Sequence, residues 1–232
     1  MDGILLVDKP KGWTSFDVVA KVRGVLKKQL QTTNPQLKTI KVGHTGTLDP
    51  LATGLLVLLV GKATKQATEL SKVDKTYVAV LKLGQTSTTG DEEGEKTKTS
   101  AKKPSLEEIQ KILDSFLGEI EQIPPIYSAI KIDGQKAYKL ARAGKEVKME
   151  PRKVKIYQIT DVDYDYPNLK FTCKVSSGTY IRTLAEDIGK KLGTGAYLTN
   201  LNRTQVGEFK LEAAINVQKI KAEAIYDKLN KA

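Results

Sequence analysis

Asp49 lies in a segment whose composition can hold a carboxylate in one fixed geometry. Residues 43–54 read Gly-His-Thr-Gly-Thr-Leu-Asp-Pro-Leu-Ala-Thr-Gly, which is too rich in Gly, Thr and Pro for a helix or a central strand. Pro50 disfavours helical backbone at the residue before it, so we expect Asp49 to be extended. A carboxylate held in such a loop can act as a nucleophile or a base. The alternative is an Asx-turn residue that only accepts hydrogen bonds from nearby N–H groups.

A second candidate segment, Ser-Ser-Gly-Thr-Tyr-Ile-Arg, runs from Ser176 to Arg182. It leads from a predicted strand through Gly178 into a predicted helix, and it displays Tyr180. Arg182 is one of only five arginines in a chain rich in lysine. A guanidinium binds carboxylate or phosphate through two parallel hydrogen bonds, which an ammonium group cannot do. Arg182 is therefore interpreted either as the partner of an acidic group or as an ordinary surface residue early in a helix.

The chain contains one cysteine, Cys173, and one histidine, His44, which excludes several classes of chemistry. A disulfide framework and the usual zinc ligand sets both need more of these residues. No Gly-x-Ser-x-Gly motif is present to carry a nucleophilic serine. The segment 54–62 has the wrong glycine spacing for a phosphate-binding loop, and Ala63 stands where Ser or Thr would hold magnesium.

Length and composition describe a globular protein with an excess of positive charge. The 232 residues are 40% hydrophobic and 28% charged, which allows one large domain or two small ones. The net charge of +11 indicates either a nucleic-acid-binding surface or a solvated lysine surface. No apolar run approaches the roughly 18–20 residues that a membrane span needs, and the N-terminus lacks a signal-peptide pattern. We therefore expect a cytoplasmic protein.

The order of predicted elements favours an α+β fold with a mixed, mostly antiparallel sheet. A helix is expected to begin at Thr14, where Asp17 completes a capping box, and to bury Phe16. Residues 84–103 contain little to bury and predict an exposed, mobile loop. The remaining predicted strands are 3–7, 55–60, 77–83, 154–166 and 169–176. The remaining predicted helices are 64–72, 105–117 with Ser105 as its N-cap, 136–142, 179–192 and 217–229. We also expect a loop over 31–41, a turn at Asp133 and Gly134, and irregular chain with strand character over 196–210.

Four segments in this order resemble the TruB-type family, the bacterial tRNA pseudouridine-55 synthases. They are Lys-Pro-Lys-Gly-Trp-Thr-Ser at 9–15, the twelve residues 43–54, Lys-Thr-Tyr at 75–77, and Ser-Gly-Thr-Tyr-Ile-Arg-Thr-Leu at 177–184. The twelve-residue string is a highly specific match, and the resemblance extends from Gly3 to about Phe209. It implies a pseudouridine-synthase fold, in which helices flank a mixed, mostly antiparallel sheet.

The resemblance also implies catalytic roles. Asp49 matches the catalytic aspartate, which forms a covalent adduct while uracil is detached, turned and rejoined through C5. Tyr77 matches a tyrosine that stacks on the extruded uracil, and Tyr180 matches an active-site tyrosine that can remove the C5 proton. Arg182 matches the arginine that pairs with the catalytic carboxylate.

Further residues are expected to contact RNA. By resemblance, His44 contacts the RNA where the target base leaves its stack, and Leu201 lies at the substrate pocket. The alternative to RNA contact is that His44 acts as a general base. Lys9 and Lys21 are interpreted as phosphate contacts, with solvated surface lysines as the alternative.

The implied function is conversion of uridine 55 in the tRNA T loop to pseudouridine. Because the uracil is never released, we expect no metal and no cofactor. The T arm of tRNA is the expected partner of a monomer. Residues 1–210 are predicted to form the catalytic domain and 211–232 a C-terminal helical tail, without a full C-terminal RNA-binding domain. The alternatives are a non-catalytic RNA-binding or tRNA-folding module and a related synthase that acts on another RNA.

Overall fold

The structure, a computed structural model, describes residues 2–33, 40–128, 130–132 and 134–229. The described chain divides into two compact units. Unit 1 takes its residues from 1–78 and 201–232, and unit 2 consists of residues from 79–200.

The chain contains both strands and helices, and several strands follow one another directly in sequence. In chain order they are β1 Gly3–Lys9, α1 Ser15–Thr33, β2 Val42–His44, β3 Thr53–Val60, α2 Ala67–Leu70, β4 Lys75–Leu83, β5 Gln85–Ser87, β6 Lys96–Lys98, α3 Leu106–Asp114, β7 Gly118–Gln122, β8 Lys131–Ile132, β9 Gln135–Lys136, α4 Ala137–Arg142, β10 Arg152–Asp165, β11 Asn168–Val175, α5 Ile181–Leu192, β12 Ala196–Val206, β13 Phe209–Lys210, β14 Ile215–Asn216 and α6 Ala222–Leu229.

Unit 1 is organised around β3, whose residues 54–60 are all buried. This burial confirms the strand predicted from the uninterrupted apolar run 55–60. The strand order is β14-β1-β3-β12, and β2 also pairs with β3. β1 and β2 are antiparallel to β3, whereas β12 is parallel to β3 and β14 is parallel to β1. The sheet of this unit is therefore mixed.

Helix α1 begins as the sequence predicts. Thr14 Oγ1 accepts a hydrogen bond from the Asp17 amide at 3.1 Å, and the Asp17 carboxylate accepts one from the Thr14 amide at 2.8 Å. The predicted burial of Phe16 is wrong, because its side chain is 66% exposed. α1 packs on the core through Val18, Val22 and Leu26, and at about 100° per residue Phe16 lies some 200° from Val18.

Unit 2 contains the strand order β4-β11-β10-β7, in which β10 is antiparallel to both β11 and β7. Helix α3 has the predicted Ser105 cap with a reciprocal Glu108 bond, and it packs against α5. α3 ends at Asp114 rather than at Leu117, because Gly118 begins the next strand. α5 ends at Leu192 and is followed by Gly193, whose φ of 68° is the left-handed cap that glycine adopts readily.

Most of residues 84–103 are exposed, as predicted, although the segment also contains regular structure. Residues 84–103 contain the β5–β6 hairpin and bury Asp91, to which Thr89 Oγ1 and the Glu93 amide donate hydrogen bonds. Polar side chains that satisfy one another do not need solvent. The strand character predicted over 196–210 is confirmed, but residues 196–206 form the regular strand β12 rather than irregular chain. The threonine hydroxyls of β12 donate to carbonyls of β4, as Thr199 does to Val80 at 3.0 Å.

Smaller differences occur at element ends. Residues 31–33 belong to α1, and residues 34–39 of the predicted loop lie outside the described residues. The predicted turn after Ile132 is present as the β8–β9 hairpin, although Asp133 lies outside the described residues. The predicted C-terminal helix is a short 3-10 turn, Val217–Lys219, followed by α6. Within the described chain, the helices are too short or too polar to span a membrane.

Candidate active site

The predicted site residues fall into both units. Unit 1 carries six of them and unit 2 carries two. The six in unit 1 are Lys9, Lys21, His44, Asp49, Tyr77 and Leu201, and the two in unit 2 are Tyr180 and Arg182.

The loop that carries Asp49 connects β2 to β3 and is held by backbone hydrogen bonds. Asp49 is half-buried, and its carbonyl accepts from the Ala52 amide at 3.0 Å. That bond closes a β-turn in which Pro50 takes the second position, where its fixed φ is favourable. The Pro50 carbonyl in turn accepts from the Gly12 amide at 2.8 Å. These bonds fit the rigid geometry that the sequence predicts for Asp49.

Two buried side chains that the sequence did not single out also hold this loop. Ser15 Oγ donates to the Leu48 carbonyl at 3.1 Å and accepts from the Leu48 amide at 2.8 Å. Arg203 Nε donates to the Leu55 carbonyl at 2.8 Å, and Arg203 Nη2 donates to the Gly46 carbonyl at 3.1 Å. Because Arg203 binds a residue in the loop and a residue in β3, it ties the loop to the sheet.

Gly54, the second residue of β3, lies at a position that no larger residue fits. Its φ of 96° lies in the left-handed region. A Cβ there would overlap the Asn202 side chain and the backbone of Arg203 on the parallel neighbour β12. The glycine therefore permits the close approach of β12 to the loop that carries Asp49.

Lys9 is fully buried and contacts the backbone of this loop at Pro50. Its Nζ donates to the carbonyls of Pro10 at 3.0 Å, Trp13 at 2.6 Å and Pro50 at 3.5 Å. Burial lowers the pKa of Lys9 to about 8, although the charge of Asp49 opposes the shift. This placement gives Lys9 a role in supporting the loop, and its predicted phosphate contact stays a prediction that the burial does not favour. Lys21, by contrast, is exposed on α1.

A second buried lysine lies in the Lys-Thr-Tyr segment. Lys75 Nζ donates to the carbonyls of Ser71 at 2.7 Å and Val73 at 2.6 Å. Its pKa is lowered to about 8, first by burial and then by the charge of Arg203. The charge of Arg203, which is also buried, contributes to the lowered pKa of both lysines.

We predict that the stability of the protein rises with pH between about 8 and 10. In this window the native state has released protons from Lys9 and Lys75, whereas the unfolded state still binds them, which favours folding as pH increases. Below about pH 8 both states are protonated, so this contribution is constant. Urea unfolding of the native protein and of Lys75→Met, followed at pH 7.5 and 9.5, measures the effect. Between these two pH values, the free energy of unfolding of Lys75→Met should rise by about half of the increase that Lys9 and Lys75 together produce in the native protein. An equal increase in both proteins would contradict the assignment to Lys75.

Tyr77, His44 and Leu201 occupy ordered elements of unit 1. Tyr77 is buried in β4, and Leu201 is buried in β12. His44 is half-buried at the end of β2, opposite Leu58 of β3. Their roles toward RNA stay predictions.

Tyr180 is held in unit 2 by a glutamine that the sequence did not indicate. The buried side chain of Gln122 accepts from the Tyr180 amide at 3.1 Å and donates to the Tyr180 carbonyl at 3.3 Å. These two bonds fix the backbone of Tyr180 at the residue before α5 begins. Since 58 residues separate the two, no local pattern predicts the contact.

Arg182 has a carboxylate partner in its own unit that the sequence did not predict. Its Nη1 lies 3.6 Å from Asp91 Oδ2, and both side chains are buried. Nη1 also donates to the Thr89 carbonyl at 3.3 Å, and Nη2 donates to the Tyr127 carbonyl at 2.9 Å. Several fixed partners therefore orient the guanidinium, while its predicted pairing with Asp49 stays a prediction.

The surroundings of Arg182 are acidic. Burial, followed by the neighbouring Asp187, raises the pKa of Glu186, and Arg182 opposes that shift. Among the described residues, no group of three or more His, Cys, Asp and Glu side chains is placed to hold a metal ion. The expectation of a reaction without metal or cofactor stays a prediction.

Comparison with known proteins identifies the family. The sequence profile of the TruB family pseudouridylate synthase N-terminal domain matches residues 34–181. The chain belongs to the TruB family. The profile of the tRNA pseudouridylate synthase B C-terminal domain matches residues 182–231 of this TruB chain. The predicted domain division at residue 210 stays a prediction.

Relatives of this TruB protein support the assignment over nearly the whole chain. It is 47% identical to tRNA pseudouridine synthase B of Cupriavidus metallidurans over 224 residues, which cover 96% of this chain and 68% of the relative. It is also 47% identical to tRNA pseudouridine synthase B of Fusobacterium nucleatum, over 91% of this chain and 70% of the relative.

Solved structures confirm the fold. A chain from the crystal structure of a Cbf5-Nop10-Gar1 complex is 30% identical, with a TM-score of 0.72 and 99% of this chain covered. A chain from an H/ACA RNP bound to a substrate RNA containing 2'-deoxyuridine is 28% identical, with a TM-score of 0.68. This TruB protein spans 56% of the length of each of those chains. The predicted pseudouridine-synthase fold, α+β with a mostly antiparallel sheet, is confirmed.

Proposed function

We propose that this TruB protein isomerises uridine 55 in the T loop of tRNA to pseudouridine. The observation that carries the proposal is its identity of 47% to a tRNA pseudouridine synthase B over 96% of the chain. The presence of Asp49, Tyr77, Tyr180 and Arg182 at the matching motif positions supports catalysis rather than RNA binding alone.

Asp49 is proposed to act on the target nucleotide as the nucleophile. Breaking the N1–C1′ glycosidic bond leaves the electron pair on uracil and develops positive charge on the ribose. A carboxylate in contact with that sugar stabilises the charge or captures it as an ester, as in retaining glycosidases. Bond formation from C5 to C1′ then expels the carboxylate and restores it for the next turnover. The loop geometry suits this role because the backbone of Asp49 is held on both sides.

Tyr180 and Arg182 are proposed to complete the reaction. Once C5 has bonded to C1′, the C5 hydrogen leaves as a proton, for which Tyr180 is the candidate acceptor, and N1 gains a proton. Arg182 is proposed to pair with the Asp49 carboxylate and to keep it aimed at the nucleotide. Uracil, sugar and protons balance among themselves, so the proposed reaction needs neither a metal nor a cofactor.

The target uridine must leave the folded T loop before Asp49 can reach it. Flipping a base out of its stack costs a few kcal/mol, and stacking on an aromatic ring returns about 1–3 kcal/mol. Tyr77 is proposed to supply that ring, with Leu201 lining the pocket and His44 contacting the RNA where the base leaves. Lys21, exposed on α1, is a candidate phosphate contact. The proposed state is a monomer that acts on tRNA in the cytoplasm.

Tritium release from a T-arm stem-loop tests this function. Because C5 exchanges its hydrogen for the bond to C1′, every turnover on 5-tritiated uridine 55 releases one tritium to water. We expect release by the native protein from this stem-loop, and no release from a matched RNA in which cytidine replaces uridine 55 and the other uridines carry the label. Release from the second RNA would identify a different target uridine. Binding of both RNAs without release would favour the non-catalytic module.

A further inference from the structure

We infer that Ser15 is a positioning residue for Asp49, an inference that rests on the proposed function of Asp49 as nucleophile. Ser15 is the first residue of α1, and its side chain is 2% exposed. It lies 33 residues before Leu48 in sequence but contacts its backbone directly.

The Ser15 hydroxyl makes two hydrogen bonds to the same residue. It donates to the Leu48 carbonyl at 3.1 Å and accepts from the Leu48 amide at 2.8 Å. The carbonyl belongs to the peptide that joins Leu48 to Asp49, and the amide belongs to the peptide before it. One hydroxyl therefore fixes both peptide planes on the N-terminal side of Asp49.

The residues just before Ser15 hold the other side of Asp49. The Gly12 amide donates to the Pro50 carbonyl at 2.8 Å, and Lys9 Nζ approaches the same oxygen at 3.5 Å. The segment 9–15 therefore holds the backbone immediately before and immediately after Asp49. A carboxylate supported in this way reaches its substrate without first ordering its loop.

The Ser15 hydroxyl is not needed to cap helix α1. Thr14 and Asp17 satisfy the first turn through their reciprocal hydrogen bonds. The Ser15 hydroxyl is turned to Leu48 instead, where it is shielded from water. Buried hydroxyl groups that bond a single distant residue restrain that residue, so the contact serves the loop rather than the helix.

Ser15→Ala tests the inference against Ser105→Ala, the same substitution at a helix cap, as a matched control. With the T-arm stem-loop in single-turnover conditions, Ser15→Ala should lower the rate constant by about 10- to 100-fold, with the RNA Kd changed less than about twofold. Ser105→Ala removes the N-cap of α3 at an exposed position in unit 2, so it should lower the Tm and leave the rate constant unchanged. Ser15→Thr, which keeps the hydroxyl, should recover most of the native rate.

Hydrogen exchange of the Leu48 amide provides a readout that needs no substrate. In Ser15→Ala this amide should exchange at least about tenfold faster than in the native protein, because its buried acceptor is gone. A Leu48 amide that stays protected, or an unchanged single-turnover rate constant, overturns the inference even if Ser15→Thr does not fold. A native protein that releases no tritium would instead refute the proposed function. Failure of the Ser15 inference is therefore distinguishable from failure of the proposed function.

Discussion

Asp49→Asn is expected to abolish tritium release from the T-arm stem-loop. The amide has the shape of the carboxylate but lacks its charge and nucleophilic oxygen, so it neither stabilises nor captures the developing charge on the sugar. Loss of a nucleophile lowers kcat by about 10⁴-fold or more, which places the variant below detection in a manual assay. RNA binding should change less than about twofold, because the substitution adds no volume and leaves the backbone bonds of the loop in place.

Asp17→Asn is the control for this prediction. It removes the same charge in the same unit, at an exposed position in the first turn of α1. Asn keeps an oxygen that accepts from the Thr14 amide, so the helix cap is retained. This variant should release tritium at the native rate. Equal release by Asp49→Asn and the native protein would remove Asp49 as the nucleophile.

The Asp49 loop illustrates how far the sequence predicts the site. Pro50 and the glycines predict a rigid turn because their effects are local. The side chains that hold the turn were not predicted: Ser15 is 33 residues from its partner, and Arg203 is 157 residues from Gly46. Such contacts depend on which strands become neighbours, and hydrophobic periodicity does not specify strand order.

Helix caps and the tight turn were also predictable, because their hydrogen-bond partners are close in sequence. The caps at Thr14 and Ser105 and the turn before β9 involve partners a few residues apart. The hairpin at 84–103 was missed because composition alone indicated a solvated loop. Asp91 is buried there because Arg182, which belongs to helix α5, compensates its charge. The residues near Asp91 in the sequence do not indicate that partner.

Arg182→Met is expected to lower the free energy of unfolding by about 3–5 kcal/mol. The substitution leaves Asp91 as an uncompensated charge, in a site where the Asp91 side chain is 6% exposed. It also leaves the carbonyls of Thr89 and Tyr127 without the donors that Arg182 supplies. Urea unfolding of the native protein and the variant at pH 7 measures the difference.

Lys153→Met is the matched control, since it also removes one cation from an ion pair in unit 2. Lys153 and Glu119 lie closer, at 2.9 Å, but their side chains are 71% and 63% exposed. Solvent screens exposed ion pairs, so Lys153→Met should lower the free energy of unfolding far less than Arg182→Met does, despite the shorter distance.

The double variant Asp91→Asn/Arg182→Met separates the ion pair from the loss of packing. Once Asp91 is neutral, replacing Arg182 no longer strands a buried charge, so the double variant should be more stable than Arg182→Met alone. A double variant that is less stable would assign the loss to packing and to the two carbonyls. A more stable double variant would show that the ion pair dominates, so that Asp91 orients Arg182 within unit 2 before RNA binds.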